Sequence, residues 1–82
     1  MQEVWILKTL VETIAKALVD HPEEVSVNEI EGERSIMLEL KVASSDMGQV
    51  IGKQGRIAKS IRTVVKAAAT REDKRVVVEI LQ

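Results

Sequence analysis

The stretch Val50-Ile51-Gly52-Lys53-Gln54-Gly55-Arg56 decides how this chain folds. Two glycines three residues apart let the backbone turn sharply, because neither has a Cβ, and they leave main-chain N–H groups open to an anion. Helical patterns lie on both sides. The turn therefore adjoins the start of the second helix, where free N–H groups and the helix macrodipole favour negative charge. Because such a pair of glycines alone is often an ordinary turn, its interpretation depends on the rest of the chain.

Length and composition limit the class of protein. The 82 residues predict one domain, residues 1–82, with a single small core. No apolar run approaches the ~18 residues of a membrane span, and the N-terminus lacks the basic start of a signal peptide. Because there is no cysteine, the chain has neither a disulfide framework nor a thiolate metal site. We therefore expect a cytoplasmic protein with no membrane contact, metal or cofactor.

The charges are unevenly distributed along the chain. Residues 1–51 carry four bases and ten acids, whereas residues 52–82 carry eight bases and three acids. The segment 52–71 has six bases and no acid. The overall net charge of −1 would argue against a nucleic-acid ligand, but this local field predicts an anionic partner on one side of the molecule.

The first half of the chain predicts a helix and a hairpin. Apolar residues recur at three- and four-residue spacing from Glu3 to Val19, which indicates one buried helix face that ends before Pro22. Trp5 lies beside this stripe, so we expect packing at the core edge, with an exposed partner contact as the alternative. Two alternating segments, around Val25 and from Ile36 to Val42, predict antiparallel strands joined by a four-residue turn that contains Gly32.

The second half predicts two helices and a third strand. Asp46 and Gln49 have capping-box spacing for a helix of one to two turns before Gly52. A longer helix follows Gly55 and runs to about Ala69, then a charged loop over 70–74. The predicted apolar face of this longer helix is Ile57, Ile61, Val64, Val65 and Ala68. Its basic side is Arg56, Lys59, Arg62 and Lys66. The last strand, 75–81, should pair in parallel with the second, because helices join the two. The prediction is an α+β fold of order αββααβ, a three-stranded mixed sheet with three helices on one face.

Residues that could support catalysis are few. His21 is the only histidine and precedes a proline at a helix end, so a capping or surface role is favoured over a general base. No carboxylate pair stands out for acid–base work. The spacing excludes a nucleotide-hydrolysing loop, because that motif needs four residues between its glycines and only three separate Gly48 from Gly52. In addition, Gln54 stands where the motif has a magnesium-binding Ser or Thr. The chain is therefore predicted not to be an enzyme.

Some RNA-binding domains stack bases on aromatic residues of a β-sheet. This chain has neither Phe nor Tyr, so that mode of binding is not favoured. A helix-turn-helix also fits the element order poorly. A loop that clamps the sugar–phosphate backbone of a short single strand remains, which is the K-homology (KH) mode.

The sequence resembles that family. The run from Val50 to Gly55, followed by Arg56-Ile57-Ala58-Lys59-Ser60-Ile61, is similar to the KH signature, and the element order is similar to its type II, bacterial form. Over nearly the whole chain, the sequence resembles the small single-KH RNA-binding proteins of bacteria, the KhpA family. The stretches that carry this closer resemblance are Leu18-Val19-Asp20-His21-Pro22, the run from Asp46 to Arg56, Ile61-Arg62-Thr63 and Lys74-Arg75-Val76.

The resemblance implies a site and a role. The glycine loop, with Lys53 and Gln54 exposed, would meet single-stranded RNA, Arg56 and Lys59 would line the next helix, and Ile51 and Ala58 would form groove wall. Many KH domains have a bulky aliphatic residue where Ala58 stands, so a shallower base platform and weak sequence preference are expected. The implied RNA-binding residues are Ile51, Gly52, Lys53, Gln54, Gly55, Arg56, Ala58 and Lys59.

The family is further described as cytoplasmic, as an RNA chaperone and as able to form a homodimer. It is also described as forming a complex with a larger KH-containing protein, KhpB, and as linked to cell-wall homeostasis and cell length. The alternative hypothesis is a protein–protein adaptor, in which the basic helix binds an acidic partner and RNA binding is incidental. The small size, the acidic first half and Trp5 favour this alternative.

Overall fold

The protein folds as a three-stranded sheet covered on one face by helices. The structure is a computed structural model that describes residues 4–69 and 74–81. The helices are α1 (Val4–Leu18), α2 (Met47–Ile51) and α3 (Arg56–Ala68), and the strands are β1 (Ser26–Glu31), β2 (Ser35–Lys41) and β3 (Arg75–Leu81). Single 3₁₀ turns lie at Pro22–Glu24, Ser44–Asp46 and Lys53–Gly55. The predicted α+β fold and its αββααβ order are confirmed.

The sheet has the predicted mixed topology, in the order β1-β2-β3. The strands β1 and β2 are antiparallel, with Val27 opposite Leu40, and the connection between them spans three residues, 32–34. The strands β2 and β3 are parallel, with Leu38 opposite Val78. Since β3 lies at the edge of the sheet, the outer side of its backbone is not paired with another strand of the sheet.

The core lies between the sheet and the helices. The side chains of Leu7, Val11 and Ala15 from α1 are fully buried, as is Leu38 at the centre of the sheet. The alternating residues of the strands and one stripe of α3 also contribute to the core: Val27, Ile36, Leu40, Val78, Ile61 and Val65. The periodicities of the sequence therefore identify most of the buried residues.

Two predictions about apolar side chains are wrong. Trp5 is 59% exposed rather than packed at the core edge, and Val64 is 46% exposed although it was expected on the apolar face of α3. Val64 lies about 100° around the helix from the buried Val65, which turns it towards solvent. The first residue of the predicted N-terminal helix, Glu3, and residues 70–73 of the predicted loop lie outside the described residues.

Candidate nucleic-acid interface

The turn between α2 and α3 begins with a backbone conformation that only glycine adopts readily. Gly52 has φ 75° and ψ 174°, a region that is essentially restricted to glycine. A Cβ built at this position would lie 2.6 Å from Cγ1 of Ile57, which is closer than side chains approach one another. Gly52 is therefore required both by its dihedral angles and by the close approach of α3.

Two further residues of the turn have left-handed backbone angles. Gln54 has φ 57° and ψ 26°, and Gly55 has φ 72° and ψ 15°. The N–H of Gly55 donates to the carbonyl of Gly52 (3.2 Å), and the N–H of Arg56 donates to Lys53. The amides of Lys53 and Gln54 precede the first of these bonds, where a helical turn leaves N–H groups without internal partners. The geometry thus presents main-chain donors beside a cationic side chain.

All but one of the predicted site residues are at least partly exposed. Lys53, Gln54, Arg56 and Lys59 are exposed, and Ile51, Gly52 and Gly55 are partly exposed. Ala58 is 5% exposed and packs on the buried side of α3, so it presents little surface of its own. Nη2 of Arg56 donates to Oε1 of Gln54 at 3.4 Å, which links the loop to the first turn of α3.

The basic side of α3 continues away from this loop. Lys59, Arg62 and Lys66 follow at three- and four-residue intervals, and the sequence from Gly52 to Ala69 contains no acid. Arg62 differs from the other two, because its Nε donates to the carbonyl of Val78 on β3 at 3.1 Å. The side of α3 next to the loop therefore has a positive field that no neighbouring carboxylate along this segment neutralises.

A buried carboxylate fixes the other side of the turn. Asp46 precedes α2 and has 0% exposure. Its Oδ1 accepts from the N–H of Asp20 (3.3 Å), and its Oδ2 accepts from the N–H of His21 (3.0 Å). The predicted capping box is wrong, since Asp46 makes no side-chain bond to the N-terminus of α2. The carboxylate binds the segment after α1 instead and so holds the start of α2 against it.

Gln49, the other member of that predicted box, also turns towards this segment. Its Nε2 donates to Oδ2 of Asp20 at 3.4 Å. Two residues of the α2 region thus reach the end of α1, which positions the short helix that leads into Gly52.

The imidazole of His21 completes this contact. Its Nδ1 lies 3.2 Å from Oδ2 of Asp46, while its side chain remains about half exposed. The hydrogen bond to Asp46, together with that carboxylate's charge, raises the pKa of His21 above 6.5. Burial would raise the pKa of Asp46, but the N–H groups of His21 and Asp20 lower it below 3.8. The pair is therefore an ion pair when the imidazole is protonated.

Sequence reasoning missed this pairing. It treated His21 as a surface or capping residue without a visible partner, whereas the fold brings Asp46 to it from 25 residues away. No periodicity or local motif reports a contact over that separation.

Over residues 4–69 and 74–81, no group of three or more His, Cys, Asp or Glu could hold a metal ion. Within the same ranges, no helix is long and apolar enough to cross a membrane.

Solved structures with a similar fold include two of the protein Era. A GDP·AlF4⁻-bound variant from Aquifex aeolicus matches with a TM-score of 0.62 at 20% identity, covering 92% of this chain and 29% of that one. Era in complex with MgGDPNP and nucleotides 1506–1542 of 16S ribosomal RNA matches with a TM-score of 0.61 at 20% identity, covering 93% of this chain and 30% of that one. The chain thus spans about three tenths of Era, and at this identity the likeness shows the fold alone.

Curated relatives match over nearly their full length. The RNA-binding protein KhpA of Clostridium acetobutylicum is 72% identical over 75 residues, covering 92% of this chain and all of the relative. KhpA of Halalkalibacterium halodurans is 56% identical over 75 residues, covering 92% of this chain and 99% of the relative. The family model described as "KhpA/KhpB, KH domain" matches residues 8–80. The chain therefore belongs to the KhpA/KhpB KH-domain family, as its resemblance to the type II KH signature predicted.

Proposed function

We propose that this chain is a non-catalytic RNA-binding protein that clamps the backbone of single-stranded RNA with the loop 52–55 and the adjoining basic side of α3. One observation carries the proposal. The glycine-bracketed turn places main-chain donors, Lys53 and Arg56 together at an accessible helix N-terminus. A phosphodiester fits that combination, because it is a small anion with several acceptor oxygens.

The relatives support the ligand class. The curated relatives at 72% and 56% identity are named RNA-binding proteins, and one Era structure with this fold was solved with ribosomal RNA. A KH loop handles about four nucleotides. If the loop and the start of α3 neutralise three phosphates, log K should fall with log salt at a slope of about −2, since each contact with a single strand contributes roughly −0.7.

The test is a pair of substitutions in the loop. Replacing Lys53 and Gln54 with Asp reverses the charge at the clamp and should abolish retention of a short single-stranded RNA at low salt. Both side chains are exposed, so circular dichroism and the urea midpoint should change little. The matched control is Thr13→Asp with Lys41→Asp, which makes the same charge change at exposed positions on α1 and β2. Equal retention by the loop variant and the control would remove the loop from the proposal.

The finer parts of the proposal rest on family membership. We infer a cytoplasmic RNA chaperone that forms a homodimer and a complex with a larger KH-containing protein of the KhpB type. Its expected roles are in cell-wall homeostasis and cell length. Pairing would offset the weak binding of one small domain, because a second tethered site raises avidity roughly 10² to 10⁴ fold. Light scattering of the purified chain, alone and with the KhpB-type partner, tests the assembly.

A protein–protein adaptor is the second candidate, and the exposed apolar residues of α1 favour it. Trp5 and Ile6 are 59% and 43% exposed on adjacent positions near its N-terminus. Crosslinking to RNA in cells, compared with co-purification of partners after nuclease treatment, separates the two functions. A partner complex that survives nuclease, without any RNA crosslink, would favour the adaptor.

A further inference from the structure

The face of the sheet opposite the helices carries a row of apolar side chains. Successive residues of a strand point to opposite faces, so Met37 lies on the face opposite the buried Leu38. Met37 is paired with Ile30 of β1 and with Val77 of β3, which places the three side chains side by side across the sheet. Ile30 is 48% exposed, and the other two are partly exposed. We call Ile30, Met37 and Val77 the outer apolar row.

The outer apolar row does not belong to the core of the domain. The core that joins the sheet to the helices includes Leu38 and Val78. Within residues 4–69 and 74–81, it includes no member of the outer apolar row. A sheet that has helices on one face can take a third layer on its other face, because apolar side chains there still gain from burial. The outer apolar row is therefore a surface on which another molecule could pack.

Two glutamates lie next to this row. Glu39 and Glu79 follow Met37 and Val77 by two residues on the same strands, so they point to the same face about 7 Å away. The two glutamates are also directly opposite each other in the parallel pairing of β2 and β3. Like charges in opposed positions repel each other and destabilise a sheet. The open face thus combines an apolar row with an acidic pair that is unfavourable for the free protein.

The protein does not neutralise this acidic pair. Oε1 of Glu39 accepts a hydrogen bond from Nδ2 of Asn28 at 3.4 Å, but the amide is uncharged. In the part of the chain that the structure describes, no ion pair includes Glu39 or Glu79. A cationic group above the two carboxylates would relieve their repulsion, whereas a phosphate would add to it. The charge on this face therefore favours a basic partner over RNA.

The spacing of the apolar row and the acidic pair matches one side of an amphipathic helix. The outer apolar row is about 10 Å long, because it crosses three strands that are about 4.8 Å apart, and two helical turns cover that length. Neighbouring side chains on a helix surface are about 5 to 6 Å apart, close to the separation of the row from the glutamates. A helix lying along the row would place its apolar stripe on the row and one flank over Glu39 and Glu79.

We propose that the open face of the sheet binds an amphipathic helix of a protein partner, with lysines or arginines on one flank of the apolar stripe of that helix. The apolar side chains of the partner helix contact the outer apolar row, and its basic flank neutralises Glu39 and Glu79. The glycine loop and the basic side of α3 belong to the helical layer, so the open face can be occupied while the loop is free. The inference does not depend on the proposed function.

The test uses a synthetic peptide in place of the partner. A helical peptide of about 15 residues, with leucines at three- and four-residue spacing and lysines along one flank, is titrated into the ¹⁵N-labelled protein. A second peptide has glutamates instead of the lysines and should bind at least about tenfold more weakly. The largest chemical-shift changes with the lysine peptide should lie in the three strands. Equal binding of the two peptides, or changes confined to the helices, would contradict the proposal.

The first variant removes the acidic pair. Glu39→Gln with Glu79→Gln should weaken binding of the lysine peptide about 2- to 30-fold, since each exposed ion pair contributes a factor of roughly 1.4 to 5. It should also raise the urea midpoint of the free protein, because the opposed carboxylates no longer repel each other. The control, Glu23→Gln with Glu33→Gln, removes the same charge at exposed positions away from the open face and should change neither value. Identical behaviour of the two variants refutes the site.

The second variant tests the apolar contact. Ile30→Thr should leave the fold intact, because the side chain is 48% exposed, and should weaken binding of the lysine peptide about three- to tenfold. The control Val64→Thr makes a comparable change at a position of α3 that is 46% exposed, and it should bind the peptide as wild type does. Equal affinities of the two variants would overturn the apolar contact.

Light scattering distinguishes a second copy of this chain as the occupant. The variant Ile30→Thr should self-associate to the same extent as wild type. If it instead loses self-association while it keeps the wild-type affinity for the lysine peptide, the open face is a contact between copies and the proposal is wrong.

Discussion

Replacing Gly52 and Gly55 separately with alanine tests whether the loop has the geometry described above. The two glycines look equivalent in sequence, but their surroundings differ. Gly55 is in the left-handed helical region with nothing within 4 Å of an added Cβ, whereas Gly52 has a glycine-restricted conformation and contacts Ile57. The substitution at Gly52 should therefore be far more destabilising than the one at Gly55.

The magnitudes follow from these two environments. At Gly55, alanine meets only the left-handed penalty of about 1 to 2 kcal/mol. At Gly52, the backbone strain is about 1 to 3 kcal/mol, and forcing Ile57 away from a Cβ at 2.6 Å adds the roughly 1 to 3 kcal/mol typical of overpacking. The sum of these two ranges predicts a cost of about 2 to 6 kcal/mol for Gly52→Ala. A gap of about 2 kcal/mol between the variants is a factor of roughly 30 in the folding equilibrium.

Urea unfolding followed by circular dichroism measures both values. Equal m-values would show that the change is in stability rather than in the extent of unfolding. A double-mutant cycle with Ile57→Ala removes the Cγ1 and Cδ1 atoms that meet the new Cβ, and it should recover part of the loss at Gly52 and none at Gly55. If Gly52→Ala destabilises the protein no more than Gly55→Ala, the geometry of the loop is wrong.

The remaining predictions concern the contact between α1 and α2 and the core. Because the pKa of His21 is raised above 6.5 by Asp46, its contribution to stability is fully present below that value and is lost as pH rises through the higher, folded-state pKa. The urea midpoint of wild type should therefore fall as pH rises from 6.5 through the folded-state pKa of His21, whereas that of His21→Ala should stay level. Parallel curves for the two proteins would contradict the ion pair. Leu38→Ala should cost about 2 to 5 kcal/mol in urea unfolding, since the side chain is fully buried. Val64→Ala should stay within about 0.5 kcal/mol, because this valine is 46% exposed, and a loss comparable to that of Leu38 would show that it packs in the core.

Regular elements were predictable from the sequence because their signals are local and repetitive. The alternation in β2 identified Ile36, Leu38 and Leu40 as buried, and the parallel pairing of β3 followed from the helices that join the two strands. The position of the turn was predictable for the same reason, since glycine is the usual residue where φ is positive, and both Gly52 and Gly55 have positive φ.

Contacts between distant segments could not be predicted. The capping box at Asp46 and Gln49 was a reasonable local interpretation, but tertiary structure offered the carboxylate better donors in the segment after α1. The exposure of Trp5 has a similar cause, because helical periodicity shows which residues share a face but not which neighbouring elements cover that face. The different demands on Gly52 and Gly55 likewise depend on where Ile57 lies.

The role of Gln54 was only partly predictable. Its exposure in the loop agrees with the expectation, but its left-handed backbone, with φ 57°, is uncommon for a residue other than glycine and has no signature in the sequence. The loop geometry around it is what turns a pair of glycines into a candidate anion site.

RNA contact by the glycine loop is tested most directly by titrating ¹⁵N-labelled protein with a single-stranded RNA of about four nucleotides, the length a KH loop handles. The amides of residues 52–56 and of Lys59 should show the largest chemical-shift changes, and these changes should weaken as salt is raised. Changes confined to the β1–β2 hairpin or to α1, with the amides of the loop unmoved, would contradict the account.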